Sequence, residues 1–514
     1  MEERTIFSFI KENIDAEGFF SGACLPDDPF PTVPRIMGAE DAFFRLENLP
    51  ADVDKAFAVL QQLNSVLENS SPKVRADIYK TLCRVSVASI SEQLVQVLSA
   101  SPEHEQLLTY ARSLFYGAAH REPFKFSLLL FGVHGMDRIY SEEKQLWEDI
   151  VSVARCEEFT YFFFFACGLK DFYAERDFWN LAKLTKGWGK IAAMEMLRCE
   201  DEEQRLWLLA NFLDVDEGVE YLHLATKVFF ETDAVEFLCR ESIDSELYLH
   251  LSALVQSIAA ILTGMIHSDV EEAEALDEID CYGVLRELLR HARIFGTAPE
   301  KIFRIVGIAE SLKLMIEENN YSVLTANQAQ ELVAACDAVI YAQDWRDDVL
   351  QRLITDDGID EGLCYFSAAM GYDIWEKVFK YWCGKPRDMV ALRYLLTVDD
   401  DGRVQSVIDA VDANISLYAD TQMELASLLQ CLRKQPGRGN SIIIAGLTSM
   451  YDWPRGIACS VLEDWGVDFV TPALRRALLQ GLRLSSNRVV TERINALLNG
   501  ENFNIEKLLR AQNF

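Results

Sequence analysis

The sequence predicts an all-α protein whose helices stack in antiparallel pairs, as in HEAT-like helical-repeat solenoids. Three observations predict it. Apolar residues recur at helical spacing from one end of the chain to the other. No series of alternating segments joined by Asn-Gly or Asp-Gly hairpins occurs. Three Trp-led segments share one helix–turn–helix pattern.

The first 50 residues stand apart. MEERTIFSFIKENI is charged and amphipathic, and it lacks the continuous apolar core of a secretory signal. From Asp15 to Glu40 the chain is rich in loop formers, with DDPFPTVP at 27–34. Proline disfavours helix in the residue before it, so this stretch is expected to lie as an extended arm against the first helices. Residues 52–69 then place Val53, Ala56, Phe57, Val59, Leu60, Leu63, Val66 and Leu67 on one helical stripe. Residues 142–155, 299–317, 325–341 and 420–433 repeat the pattern. Short stops separate the helices: SSP at 70–72, SP at 101–102 and GKP at 384–386. The triplet Ile442–Ile444 is the strongest β-like spot, and it is short.

The run from Leu247 to Ile266 is long enough to span a bilayer. It carries His250, Ser252, Gln256, Ser257 and Thr263, and acidic residues flank it on both sides. A buried core helix is therefore expected, with no membrane span. The run FFFF at 162–165 is too short to cross. These readings divide the chain into an N-terminal helix and arm (1–50), a helical-repeat region (51–266), an acidic linker or helix (267–280) and a second helical-repeat region (281–514).

The Trp-led segments are KGWGKIAAMEML (186–197), QDWRDDVLQRL (343–353) and YDWPRGIACSVL (451–462). Each starts with a turn residue and Trp188, Trp345 or Trp453. A basic residue follows (Lys190, Arg346, Arg455), then a helix ending in Leu. The first and third continue into a second helix. Such a pair cannot bury its apolar face alone, so neighbours must stack on it. Trp375, Trp382 and Trp465 join this set, and core packing is the expectation for all six.

The segment GWGKIAAMEMLRCEDEEQRLWLL (187–209) resembles part of a group of uncharacterised bacterial helical-repeat proteins, some of which carry the label limonene hydroxylase. The resemblance implies a repeat architecture and a bacterial, cytoplasmic setting. It supplies no functional residue.

Charge narrows the functions. With 49 basic and 81 acidic residues the formal net charge is −32. A nucleic-acid role is excluded as an expectation, because such affinity comes mainly from Lys and Arg neutralising phosphates. From Glu200 to Asp280 there are 21 acidic residues against Arg205, Lys227 and Arg240. From Arg433 to Phe514 the balance reverses, with 11 basic and 7 acidic residues. The 12 cysteines form no CxxC pattern, and several sit in apolar helical runs, as free thiols do in a reducing cytoplasm.

Catalytic motifs are mostly missing. No GxGxxG follows a strand, and PGRGNS at 436–441 lacks both the third glycine and a phosphate-binding lysine. No HExxH or GxSxG occurs. Glu220 and His223 make the one Glu-x-x-His pair, where a di-iron bundle needs two. LTVDDDGRV (396–404) resembles a calcium loop, but its twelfth position is Ile408. No cofactor is expected. DDGID (356–360) matches the DDxxD spelling of terpene synthases, in which carboxylates on one helix face hold Mg²⁺ against a diphosphate. Asp412, Ser416 and Asp420 loosely echo that family's second motif. Gly358 inside the first motif favours a turn instead. Asp356, Asp357 and Asp360 are thus weak metal-ligand candidates.

The sequence reads best as a non-catalytic scaffold that offers a curved helical surface, acidic on one face, to a cationic protein or peptide. Glu202, Glu203, Asp214, Asp216, Glu217 and Glu220 are the partner-binding candidates. Their mutual repulsion lowers the stability of the compact state unless solvent or a partner absorbs the field. The alternative is an enzyme acting on apolar or isoprenoid-like substrates, through the hydroxylase activity that the label on the resembling proteins implies or through Mg²⁺-dependent diphosphate chemistry at DDGID.

Overall fold

The computed structural model describes residues 4–22, 24–28, 37–39, 41–42, 51–68, 71–100, 104–212, 222–262, 276, 279–321, 323–356, 358–397, 400–419, 421–485 and 488–501. The fold is an all-α helical-repeat solenoid. Among the described residues there is no strand, and only two isolated bridges occur, Ile14–Phe20 and Ile354–Ile359. The chain divides into two compact units. One comprises residues 1–294 and 307–336, the other residues 295–306 and 337–514.

In the first unit the helices run α1 (Ile6–Glu12), α2 (Val53–Glu68), α3 (Pro72–Leu82), α4 (Ser91–Leu98), α5 (His104–Gly117), α6 (Arg121–His134), α7 (Met136–Glu142), α8 (Lys144–Val153), α9 (Glu157–Gly168), α10 (Glu175–Leu184), α11 (Gly187–Met196), α12 (Glu202–Asn211), α13 (Leu222–Glu231), α14 (Ala234–Cys239), α15 (Ser245–Leu262) and α16 (Cys281–Phe295). The packing is that of a repeat. Neighbours α5 and α6 pair, α6 lies on α9, α9 on α11, α11 on α13, and α13 on α15. Every residue of helix α6 except Glu122 is buried, and Phe162, Phe163 and Phe164 of α9 are buried as well. Ring pairs Phe115–Phe124 and Phe124–Phe159 sit at centroid distances of 5.0 and 4.8 Å, within the range where aromatic pairs attract. A Cβ on Gly132 would lie 2.7 Å from Cα of Ala166, so glycine is what lets α6 and α9 approach.

Helix α15 is long and apolar enough to cross a membrane, yet 61% of its apolar window is buried inside the fold. Its polar residues are accommodated locally. Ser252 and Ser257 donate to the carbonyls of Leu249 and Ala253.

The next helices are α17 (Pro299–Glu318) and α18 (Ala326–Ile340). The second unit continues with α19 (Arg346–Arg352), α20 (Glu361–Ala369), α21 (Trp375–Gly384), α22 (Met389–Thr397), α23 (Asp401–Asp412), α24 (Met423–Leu432), α25 (Asn440–Thr448), α26 (Asp452–Trp465), α27 (Pro472–Leu484) and α28 (Arg488–Asn499). Here α22 packs on α24, α24 on α26 and α26 on α28, while α25 lies on α27. Gly481 repeats the device of Gly132: a Cβ there would lie 2.5 Å from the Leu447 carbonyl oxygen. The β-like triplet 442–444 is helical and lies in α25, with Ile442 and Ile443 buried. Packing on both neighbours outweighs the β preference of the isoleucines.

The described part of the N-terminal arm meets α6 and α9. Arg121 at the start of α6 donates from Nε and Nη2 to Asp27 (3.2 and 3.1 Å), and its backbone N–H donates to the same carboxylate at 2.8 Å. Arg121 also pairs with Asp28. One turn on, Lys125 pairs with Asp41 and with Glu158 of α9, the latter at 2.8 Å. Glu158 accepts the Gly38 N–H at 2.9 Å. Cys156 Sγ lies 3.8 Å from Met37 Sδ.

The three Trp-led segments are not equivalent in burial. Trp345 is 1% exposed, and its indole N–H donates to the Ile340 carbonyl at 2.7 Å. Trp188 is half-buried, and Trp453 is 45% exposed. The expectation of core packing thus holds for Trp345, Trp375, Trp382 and Trp465, all buried, and fails for Trp453. Sequence spacing places each indole at the start of a helix, but the neighbouring helix decides whether it is covered. Trp345→Ala is therefore expected to cost about 3–5 kcal/mol in urea unfolding, and Trp453→Ala less than about 0.5. Equal costs at the two positions would mean that the segments are true structural equivalents.

Candidate interaction surface

The acidic candidates fall into two groups. Asp214, Asp216, Glu217 and Glu220 lie outside the described residues, as does the side chain of His223. Glu202 and Glu203 occupy the first turn of α12 and are exposed. Asp201 caps that helix by accepting the Gln204 N–H at 2.9 Å, and acidic residues are favoured there by the helix dipole.

Glu202 is not free to meet a partner. Arg240, just past the end of α14, grips its two oxygens at 2.8 and 3.1 Å. Arg240 also holds Glu236 at 3.0 Å, and Glu236 accepts from Arg205 at 2.7 Å. Both guanidinium groups lie over the buried Phe237 ring, at 5.2 Å for Arg205 and 4.3 Å for Arg240. Hydrogen bonding from Arg240 holds the Glu202 carboxyl below its ordinary range, and Arg205 then Arg240 do the same for Glu236. Two arginines thus serve two carboxylates in a ladder between α12 and α14. Glu203 makes no ion pair among the described residues.

The other side of α14 borders a groove. A cavity of about 420 Å³ opens between α13, α14 and the start of α16. Its apolar wall includes Phe229, Phe230, Val235, Leu238 and Val284. Phe230 is 47% exposed and Val235 38%, so water covers apolar surface here. The rim carries Asp233, Asp280 and Glu287 against Arg286. The floor is held from α16. Arg290 donates to the carbonyls of Leu238, Arg240 and Glu241 at 3.1, 2.7 and 3.1 Å, which satisfies the C-terminal end of α14. His291 Nε2 lies 3.0 Å from the Leu238 carbonyl, and burial pushes its pKa down. The sequence had a signal for this groove in FFETDAVEF, where Phe229, Phe230, Val235 and Phe237 stand among acids. Periodicity alone could not say that Phe230 and Val235 face outward.

A larger cavity of about 1030 Å³ lies along α8 and α10. There Lys144, Arg155 and Arg176 oppose Glu148, Glu175 and Asp177, and Trp147 donates to Asp177 at 2.7 Å. Its balanced charge selects no class of ligand.

The DDGID segment is a turn. Ile354 and Ile359 bridge across it, and Thr355 N–H donates to the Gly358 carbonyl at 2.8 Å. Gly358 has φ +145°, a conformation that side chains resist. Asp360 caps α20 by accepting the Leu363 N–H at 2.8 Å. Asp356 is exposed in the turn, and Asp357 lies outside the described residues. Asp356 and Asp360 therefore do not share a helix face. Asp400 of the calcium-loop-like stretch likewise caps α23, accepting the Arg403 N–H at 2.9 Å. Among the described residues no group of three or more His, Cys, Asp or Glu side chains is arranged to hold a metal ion.

No family model matches the chain, and no curated protein matches it. The hydroxylase label attached to the resemblance at 187–209 therefore finds no support. Among solved structures, one described as a "Circular tandem repeat protein with novel repeat topology and enhanced subunit contact surfaces" aligns over 90% of this chain and 97% of its own. It is 14% identical with a TM-score of 0.14, and at that score the likeness carries no argument.

The ladder changes what neutralisation should do. Glu203→Gln is expected to change the melting temperature little at low salt, because relief of repulsion offsets the loss of its favourable place at the helix N-terminus. Glu202→Gln is expected to lower it, because Arg240 loses a two-point partner. Scanning calorimetry of both variants at low and high salt checks this. A change of equal size and sign in both would mean that the ladder contributes nothing.

Proposed function

We propose that this protein is a non-catalytic interaction scaffold. Its first unit presents the α13–α14–α16 groove and the acidic edge beside it to a cationic, amphipathic peptide or helix of a partner protein. The observation that carries this reading is the pair Phe230 and Val235, exposed on an apolar wall with three carboxylates and one arginine at its rim. A helix-in-groove partner presents apolar anchors one turn apart, and a cavity of about 420 Å³ admits one or two of them. Basic residues flanking the anchors would meet Asp233, Asp280 and Glu287. Glu203 and the acidic stretches 213–221 and 267–280 extend the same charge in sequence. All 12 cysteines are free thiols, which supports a reducing compartment such as the cytoplasm. No observation favours the isoprenoid reading.

The test is affinity selection of random peptides on the full-length chain, followed by anisotropy titrations. Selected peptides should carry basic residues around an apolar pair. Their affinity should fall as salt rises past about 0.15 M. Phe230→Ala should weaken them about tenfold or more, the usual loss at a central anchor. Peptides that are acidic, or that bind Phe230→Ala as well as wild type, would overturn the reading.

A further inference from the structure

We propose that the N-terminal arm, through Asp27, Asp28, Met37, Gly38 and Asp41, is a proton-dependent latch on α6 and α9. It closes with the uptake of one proton and loosens as the pH rises towards neutrality.

The geometry starts from a charge count. Two cations, Arg121 and Lys125, face five carboxylates: Asp27, Asp28, Asp41, Glu122 and Glu158. None of the seven side chains is more than 18% exposed. Five carboxylates around two cations leave an excess of buried negative charge, and the desolvation of poorly paired ions is costly. Proton uptake by one member relieves part of that excess, and the contacts identify which.

Asp27 holds a two-point pair with Arg121 and accepts its backbone N–H. Asp28 pairs with Arg121 and accepts the Leu25 N–H at 2.7 Å. Glu158 bridges Arg121 (3.4 Å) and Lys125 (2.8 Å) and accepts the Gly38 N–H. Glu122 lies 3.3 Å from Lys125 and accepts the Val87 N–H at 2.6 Å. Asp41 has Lys125 alone among the described residues. Lys125 thus serves three carboxylates, and Asp41 has the least other support.

Electrostatics agree with that assignment. Burial, and then the Glu158 and Glu122 charges, push the Asp41 carboxyl up to about 7 against the pull of Lys125. Burial also acts on Glu158, but Lys125 and Arg121 outweigh it and hold that group below its ordinary range. With the arm undocked, Asp41 returns to water and an ordinary value near 3.8. Docking therefore binds a proton between those two values. The closed state is favoured below them, and that advantage is lost as the pH rises through about 7. Glu158 contributes with the opposite sign, and its contribution is lost only below the usual glutamate range.

Opening would uncover specific groups. Met37 lies on Cys156, and Gly38 lies beside the Glu157 carbonyl and Trp188 Cβ. The experiment is hydrogen exchange of the full chain from pH 5.5 to 8, corrected for intrinsic rates and read at Gly38 and Arg121, whose N–H groups donate to Glu158 and Asp27. Opening at both sites should increase about tenfold or more across that range. Asp41→Asn keeps the shape of the protonated group and should abolish the slope. His120, which is 3.0 Å from the Tyr79 hydroxyl, stays in place in that variant and is thereby controlled for. A flat wild-type profile, or a slope that survives Asp41→Asn, overturns the latch. If that variant fails to fold, carbon-13 carboxyl spectra of the wild type decide. An aspartate that titrates near neutrality supports the latch, and the absence of any titration above about pH 6 overturns it.

Discussion

A helix pair with one apolar face cannot bury that face by itself, and the structure depends on each pair being covered by the next. The contact of α6 with α9 shows how tightly. Gly132 lies against the Ala166 backbone, and Gly481 against the Leu447 carbonyl repeats the close approach in the second unit. Where the backbones meet so closely, ring pairs such as Phe124–Phe159 fill the remaining space. The same constraint explains the groove. Helix α14 has only six residues, too few to cover both α13 and α16, so Phe230 and Val235 stay in contact with water. Arg290 and His291 compensate at its end by satisfying carbonyls that a longer helix would bond internally.

Charge is handled in two ways in the first unit. At the surface, Arg205 and Arg240 serve Glu202 and Glu236 in full view of solvent, where ion pairs contribute little each. In the interior, Arg121 and Lys125 tie the arm to α6 and α9. Removing one partner from such a buried set costs about 3–5 kcal/mol, because a charge is left uncompensated. The arm is therefore fixed by polar groups rather than by apolar burial alone, and its attachment inherits their pH dependence.

Much of the fold was legible in the sequence. The segment from Val53 to Leu67 forms α2, with Ala56, Val59, Leu60, Leu63 and Val66 buried but Val53 and Phe57 of the expected stripe exposed, and SSP at 70–72 gives Ser71 as the cap of α3. Thr471 opens α27 in the same way. The site was less legible, for physical reasons. Arg121 and Lys125 are ordinary residues at a helix start until Asp27 and Asp41 arrive from 94 and 84 positions away. Glu202 looks like free negative charge until Arg240 folds onto it from 38 positions on. Asp360 matches a metal motif letter by letter, yet its oxygen is spent on a helix cap. Trp188, Trp345 and Trp453 share a spacing but not an environment. Local pattern fixes where helices begin and end, and long-range packing decides which side chains are left over for a partner.

Cys239 gives the most direct test of the groove. It is exposed, lines the cavity, and has one exposed counterpart among the twelve cysteines, Cys383 in the second unit. A basic amphipathic peptide with an activated disulfide on its apolar face should modify Cys239 well ahead of Cys383. That preference should fade at high salt and in Phe230→Ala. Equal modification of Cys239 and Cys383 under all these conditions would contradict the account.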